Sequence, residues 1–412
     1  MQLTNIYYLC NQNITYMQTN NLVKVLLAAV VVFSFSSCMK DDIYNPDNSK
    51  GTGNLEVPAN FNWTMSRSIA CNISTPVDSR IAIFSGKECK DEQLIIEMPI
   101  LKGDVNQANF ELSDATNSYY IQYPTANGMK IKEVSATATT RAGQDITLPE
   151  DIIYDSENNY RCSYTPAKNT FGTIFFEDMY PEKGDYDFND FVAGYNTSVK
   201  LAQNIATADD IITIQIQIRA IGGATPYRLG LELTPVLTKY VTGNYNVAST
   251  NNNIQMELIS TDPESPAIFA ITGTNTLKEG NYFNTENLST QPLPVITCTI
   301  TRKQQQSWSF VNLFTDSTGF NFFLQNTANN KEIHMKGYPT TKLASNQGDS
   351  FVSSDNFVWG IKIPASIPNS KERVDITKSF PDFATWVTSG GTNKADWYNN
   401  YQKNQVITPV NP

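Results

Sequence analysis

The sequence predicts an all-β protein, and three observations carry that prediction. Apolar and polar residues alternate with period two, as where Ile212, Ile214, Ile216 and Ile218 interleave with Thr213, Gln215, Gln217 and Arg219, the pattern of a strand with one buried and one solvated face. Short apolar runs are separated by Pro, Asp, Asn and Gly at hairpin spacing. Apolar residues at helical spacing are scarce. The chain has 412 residues, 40% hydrophobic and 17% charged, which suits roughly two to three domains with real cores and excludes a disordered polyelectrolyte.

Taken in chain order, the first element is an address. Val25 to Phe35 is a nearly continuous apolar run behind Lys24, followed by Ser36, Ser37 and Cys38. It is shorter than the roughly 20 residues of a membrane-spanning helix and has the layout of a signal peptide. Residues 1–37 are read as that leader, with 1–16 as an over-called start because Met17 opens a more natural one. Cys38 sits where a bacterial lipobox carries the lipidated cysteine that becomes the mature N-terminus; Phe35 stands in place of the usual Leu. Residues 38–54 read as a polar tether. Its Lys40-Asp41-Asp42 resembles the export signal of Bacteroidota-type surface lipoproteins, and an ordinary charged linker is the plainer reading of the same residues. The expected location is the outer face of an outer membrane, held by acyl chains.

Residues 55–138 read as a small N-terminal β-sandwich. Strands are expected around Ile69, Cys71 and Ile73, at Ile81–Phe84, Leu94–Met98 and Tyr119–Tyr123, with Asn127-Gly128 as the central pair of a hairpin turn at positive φ. Residues 139–169 read as a polar linker. Residues 170–402 read as a larger, jelly-roll-like module, and 403–412 as a tail. In the larger module Gly222-Gly223 is expected to turn the chain between the isoleucine strand and Leu229–Leu233. Further strands are expected at Ile296–Ile300, Trp308–Phe314, Phe320–Leu324 and Phe357–Ile363. A short helix is expected near Pro381–Val387, ended by Gly390-Gly391.

Charge and rare residues narrow the function. The formal net charge of -10 argues against a nucleic-acid partner, which needs a basic surface. The only histidine, His334, removes most zinc sites and histidine-based triads from consideration and reads as a lone surface or strand residue. Cys71, Cys89, Cys162 and Cys298 match no metal or redox spacing. Export allows disulfides among them, and buried free thiols are an equal reading. No motif of a serine hydrolase, zincin or nucleotide site occurs.

Chemistry is densest in the segment Phe171–Asn196. In Asp185-Tyr186-Asp187-Phe188-Asn189-Asp190 an extended chain would put Asp185, Asp187 and Asn189 on one face and the aromatic rings on the other. Clustered hard oxygens favour calcium, and Glu177 or Asp178 could close the shell from the preceding strand. The candidate metal ligands are therefore Glu177, Asp178, Asp185, Asp187, Asn189 and Asp190. It is not an EF-hand, because Asp190 replaces the required Gly and Asn196 the bidentate Glu. The competing reading is an acidic turn held by Asx hydrogen bonds, with Tyr186 and Phe188 in the core.

The run FFEDMYPEKGDYDFND resembles the signature of the LruC domain family of exported lipoproteins. The resemblance continues through the RAIGG turn, VWGIKIP, DITKSFPDFATWVTSGG and DWY, covering about Phe171 to Tyr398. It implies export and β architecture, while the family's domain is one of unknown function. The functional expectation is a non-enzymatic surface lipoprotein that captures a glycan or protein ligand, with calcium stabilising its fold. The alternatives are a structural component of the envelope or of a fimbria-like assembly, and a glycosidase built on paired carboxylates. Trp386, Trp397, Tyr398 and Tyr401 could stack on sugar rings or could be core residues, with core the better reading for Trp386.

Overall fold

The computed structural model describes residues 51–136, 143–155, 160–204, 206–223 and 225–408. All of them belong to one compact unit, Ser49–Pro412. The leader and Cys38 lie outside the described residues.

The all-β expectation holds. Two sandwich-like cores share one eleven-stranded sheet. At its centre Phe191–Ala202 pairs with Asp210–Ile221 along its whole length, with Gly172–Phe176 beside its first half and Tyr160–Thr165 beside its second. Tyr160–Thr165 pairs in turn with Leu94–Ile100, which carries the sheet into the N-terminal strands. There Ser66–Ser74 and Asn106–Ser113 cover it from a three-stranded sheet, and Ile69, Ile73 and Phe110 pack against Ile83, Ile96 and Ile121. On the other side a five-stranded sheet faces the isoleucine strand, so that Leu229, Leu231, Phe269 and Phe322 meet Ile212, Ile214, Ile216 and Ile218. Alternating burial along these strands is the period-two pattern made physical.

Several expectations are corrected. The turn after Thr125 is centred on Ala126 and Asn127; only Gly128 (φ 102°) is left-handed, pairing with Thr125. Gly222-Gly223 does separate the two expected strands, Asp210–Ile221 and Tyr227–Leu237, which belong to different sheets. Trp308–Phe314 is not a strand: Val311–Thr315 is a short helix, and Phe310, Leu313 and Phe314, all buried, have helical spacing. The stretch 139–169 supplies Gln144–Thr147, parallel to Ser66–Ser74, and Tyr160–Thr165 in the large sheet. The stretch 38–54 ends in structure, since Thr52 is buried and donates from its backbone N and its Oγ1 to Asp375, both at 2.8 Å. The C-terminal helix is Phe383–Thr388, and it is preceded by a further helix, Ile376–Ser379. Cys71, Cys89, Cys162 and Cys298 are free thiols.

Candidate metal centre

The acidic segment is the connection between two paired strands. Gly172–Phe176 and Phe191–Ala202 run antiparallel with Phe176 opposite Phe191, so Glu177 and Asp190 leave the sheet together. Glu177 N donates to Trp359 O at 2.9 Å, and Gly222 N donates to Asp190 O at 2.9 Å. Between these pins the chain is not extended, which overturns the one-face arrangement expected of a strand. Tyr186 (φ 60°) and Phe188 (φ 54°) are left-handed, a conformation costing a bulky residue roughly 1–2 kcal/mol. Both are buried, at 3% and 0% exposure, and Tyr186 packs on Phe357 at 5.3 Å between ring centroids. Core packing of the rings holds the strained backbone, and Asp187 is turned inward between them. Strain of this kind gathers at functional sites.

Glu177, Asp185 and Asp187 each bring a carboxylate oxygen within 4.8 Å of the others. Glu177 is 1% exposed and Asp187 2%. Backbone amides serve part of the set. Phe188 N donates to Glu177 Oε1 at 2.6 Å, Asn189 N to Asp187 Oδ1 at 3.0 Å and Arg373 N to Asp187 Oδ2 at 2.7 Å. Glu177 Oε2 and Asn189 Oδ1 are buried and accept no hydrogen bond. Glycines leave room beside those same two atoms: a Cβ at Gly184 would lie 2.2 Å from Glu177 Oε2, and one at Gly222 2.7 Å from Asn189 Oδ1.

Burial pushes the carboxyls of Glu177 and Asp187 well above their ordinary range, and the neighbouring Asp185 charge adds to both. Asp185 is raised by burial as well, although Arg373 opposes the rise. Buried carboxylates crowded this closely need protons or a cation. An all-oxygen donor set of carboxylates and one amide oxygen suits calcium or magnesium.

The six expected ligands divide. Glu177, Asp185 and Asp187 converge, and Asn189 adds its unbonded Oδ1. Asp178 and Asp190 face elsewhere: Asp178 N donates to Asp190 Oδ2 at 2.8 Å, and both carboxylates pack on Gly223. Lys278, whose Nζ donates to Gly223 O at 2.9 Å, supplies positive charge beside them. Sequence reasoning missed the opposite wall, Ser370 to Asp375. There Ser370 O receives Asn189 Nδ2 at 3.4 Å, and Ile376 N donates to Tyr186 O at 2.8 Å. The charge cluster Lys371-Glu372-Arg373 was a signal, but nothing local ties it to a loop so distant in sequence.

The other expected positions are now located. His334 is in a strand and wholly buried rather than on the surface. Trp386, Trp397 and Tyr398 are core residues at 1%, 0% and 7% exposure, which removes them as sugar platforms; Tyr401 is half-buried. Trp386 and Trp397 pack with Phe383, and Trp386 also meets Phe61 and Trp63. Among the described residues no helix is long and apolar enough to cross a membrane.

Residues 210–398 match the family model of a domain of unknown function, DUF4842, and residues 80–147 match another, DUF4841. The acidic loop lies between the two matches. No curated protein matches the chain. Among solved structures, a candidate lipoprotein from Bacteroides ovatus is similar at 20% identity with a TM-score of 0.64, covering 81% of this chain and all of that one. That likeness concerns the fold alone. BcpA, the major pilin subunit of Bacillus cereus, aligns at 8% identity with a TM-score of 0.18 over 65% of this chain and 66% of its own, too distant to support an argument.

Proposed function

We propose that this protein is an exported, lipid-anchored β-protein of the outer cell surface that binds a glycan or protein ligand without catalysis, and that a calcium ion completes its Glu177, Asp185 and Asp187 centre. The observation that carries the calcium reading is Glu177 Oε2, a buried carboxylate oxygen without a hydrogen bond, aimed among two further carboxylates. Acyl chains on Cys38 would supply attachment, and stable anchoring takes two or more of them. Glu177 and Asp187 are buried and accept from backbone amides, whereas a glycosidase needs two acids flanking an accessible sugar, which favours a role in the fold. Titrating the purified full chain with calcium tests the centre. One site is expected in the wild type and none in Asp187→Asn; equal binding by both would refute it.

Assembly through sheet edges has one observation in its favour. Gly128–Ser135 is an edge strand with Met129 and Ile131 exposed at 50% and 44%, and an uncovered edge can accept another strand. Light scattering separates the two readings: a monomer favours ligand capture, and concentration-dependent self-association favours assembly.

A further inference from the structure

A second feature, away from the acidic loop, has the form of a ligand site. Where the small N-terminal sheet meets the larger module, a groove opens in two adjoining lobes of about 500 and 420 Å³, both lined by Ser68, Glu111 and Thr318. Volumes of this order at a junction between structural layers are where ligands are usually held. At the shared centre Glu111 and Lys362 form an ion pair at 3.4 Å, with side chains 12% and 13% exposed. Hydroxyls from both walls fix it: Ser66 Oγ donates to Glu111 Oε2 at 3.2 Å, and Ser317 Oγ donates to Oε1 at 2.6 Å. Burial disfavours the charged forms of both groups, but their mutual attraction outweighs it: Glu111 raises Lys362 above its ordinary value, while Lys362 and the two serines keep Glu111 below its own.

The walls continue the same chemistry. Arg67 and Asp114 pair at 3.2 Å in the larger lobe. Lys336 Nζ donates to Phe61 O at 2.6 Å and Asn356 Oδ1 at 2.7 Å, which leaves one of its three N–H groups for a ligand. Tyr338, half-buried, gives an aromatic surface.

From this lining we infer that the groove is a subsite for a neutral oligosaccharide. Its charges are nearly balanced, with Glu111–Lys362 and Arg67–Asp114 already paired, so an anionic chain would meet Glu111 and Asp114, and a cationic one Arg67, Lys336 and Lys362. Sugar hydroxyls both donate and accept, which matches a lining of carboxylates, ammonium groups and serine hydroxyls. Two lobes joined at Glu111 call for more than one sugar ring.

The inference rests on the ligand-capture reading and locates it. The test is affinity of the purified full chain for a panel of neutral gluco-, manno-, xylo- and galacto-oligosaccharides, compared with Lys336→Ala and Ser68→Trp. Lys336→Ala trims one wall and Ser68→Trp fills the junction of the lobes; an unchanged melting temperature certifies the fold of each. The expected result is binding of at least one member, weakened tenfold or more in both variants. Binding that survives both variants overturns the groove and leaves ligand capture standing. Failure of every oligosaccharide, with the chain still adhering to cells, overturns the groove and turns capture toward a protein. Failure of both overturns the groove and the capture reading together, with the calcium titration as a separate matter.

Discussion

Two buried charged regions of this molecule are built from similar residues and finished differently. In the first, His334, Glu332, Asn321 and Glu232 lie in the five-stranded sheet. Both oxygens of Glu332 are fully engaged: Oε2 faces His334 Nε2 and accepts from Thr341 N, each at 2.8 Å, and Oε1 accepts from Thr341 Oγ1 at 2.7 Å and Gln325 Nε2 at 3.4 Å. Asn321 joins His334 Nδ1 at 2.9 Å to Glu232 through its own amide at 3.1 Å. In the second, Glu177, Asp185 and Asp187 crowd together, and Glu177 Oε2 accepts nothing. Burial of charge is tolerable when every polar atom is served. The histidine network is complete from the chain's own atoms, whereas the acidic loop leaves Glu177 Oε2 and Asn189 Oδ1 unserved, which is where we propose the cation.

The largest effect that separates the two is expected at Glu332. Glu332→Ala removes the partner of His334 and of two Thr341 donors, and each buried group left without its partner costs about 1–3 kcal/mol. Urea unfolding should give the same loss with calcium and with chelator. A loss that calcium restores would mean that the two regions are not independent.

Acidity gives the next contrast. Glu177 and Asp187 have native values raised well above the ordinary carboxylate range by burial and mutual repulsion. In calcium-free protein the native state therefore holds protons that the unfolded chain has released. Stability should be greatest below the unfolded carboxylate values and fall as pH rises through them toward the raised native ones. Each unit of separation is worth about 1.4 kcal/mol per group. Saturating calcium should flatten this slope, because the cation replaces the protons. A calcium-free stability that instead rises with pH across this window would contradict the assignment.

A smaller effect reaches Thr52, near the first of the described residues. Asp375 accepts Thr52 N and Oγ1 on one side and Thr377 N and Oγ1 on the other, while Arg373 N and Ile376 N bond the acidic loop. Asp375→Ala removes a helix cap worth about 0.5–2 kcal/mol and should release Thr52. Hydrogen exchange should show faster exchange at Thr52 in that variant, with the histidine strand unchanged. Unchanged exchange at Thr52 would mean that the carboxylate does not secure that residue.

The same two regions mark how far the sequence could be read. Strands such as Asp210–Ile221 were legible because burial and alternation coincide in each residue. The clustering of acidic groups in this segment was legible too, since Glu177, Asp185 and Asp187 are read from it and do converge. Their geometry was not, because it depends on Tyr186 and Phe188 taking left-handed conformations under the constraint of core packing. That constraint turned an expected extended face into a loop and sent Asp178 and Asp190 toward Lys278. The wall from Ser370 to Asp375 and the network around His334 depend on contacts between segments far apart in the chain. A single histidine in NNKEIHMKG carries no sign that Asn321 and Glu332 will enclose it. Trp308–Phe314 was misread for a simpler reason: its aromatic residues satisfy both periods, and Phe310, Leu313 and Phe314 pack at helical spacing.

The central claim is that a cation finishes the acidic loop, and the melting temperature of the wild type and of Glu177→Gln, each with calcium and with chelator, tests it most directly. Calcium at a hundredfold excess over its dissociation constant should stabilise the wild type by about 2.7 kcal/mol. Glu177→Gln should lose that response while remaining at least as stable as the calcium-free wild type, because it removes one of three crowded charges. A Glu177→Gln protein that keeps the full calcium response, or a wild type that shows none, would contradict the account.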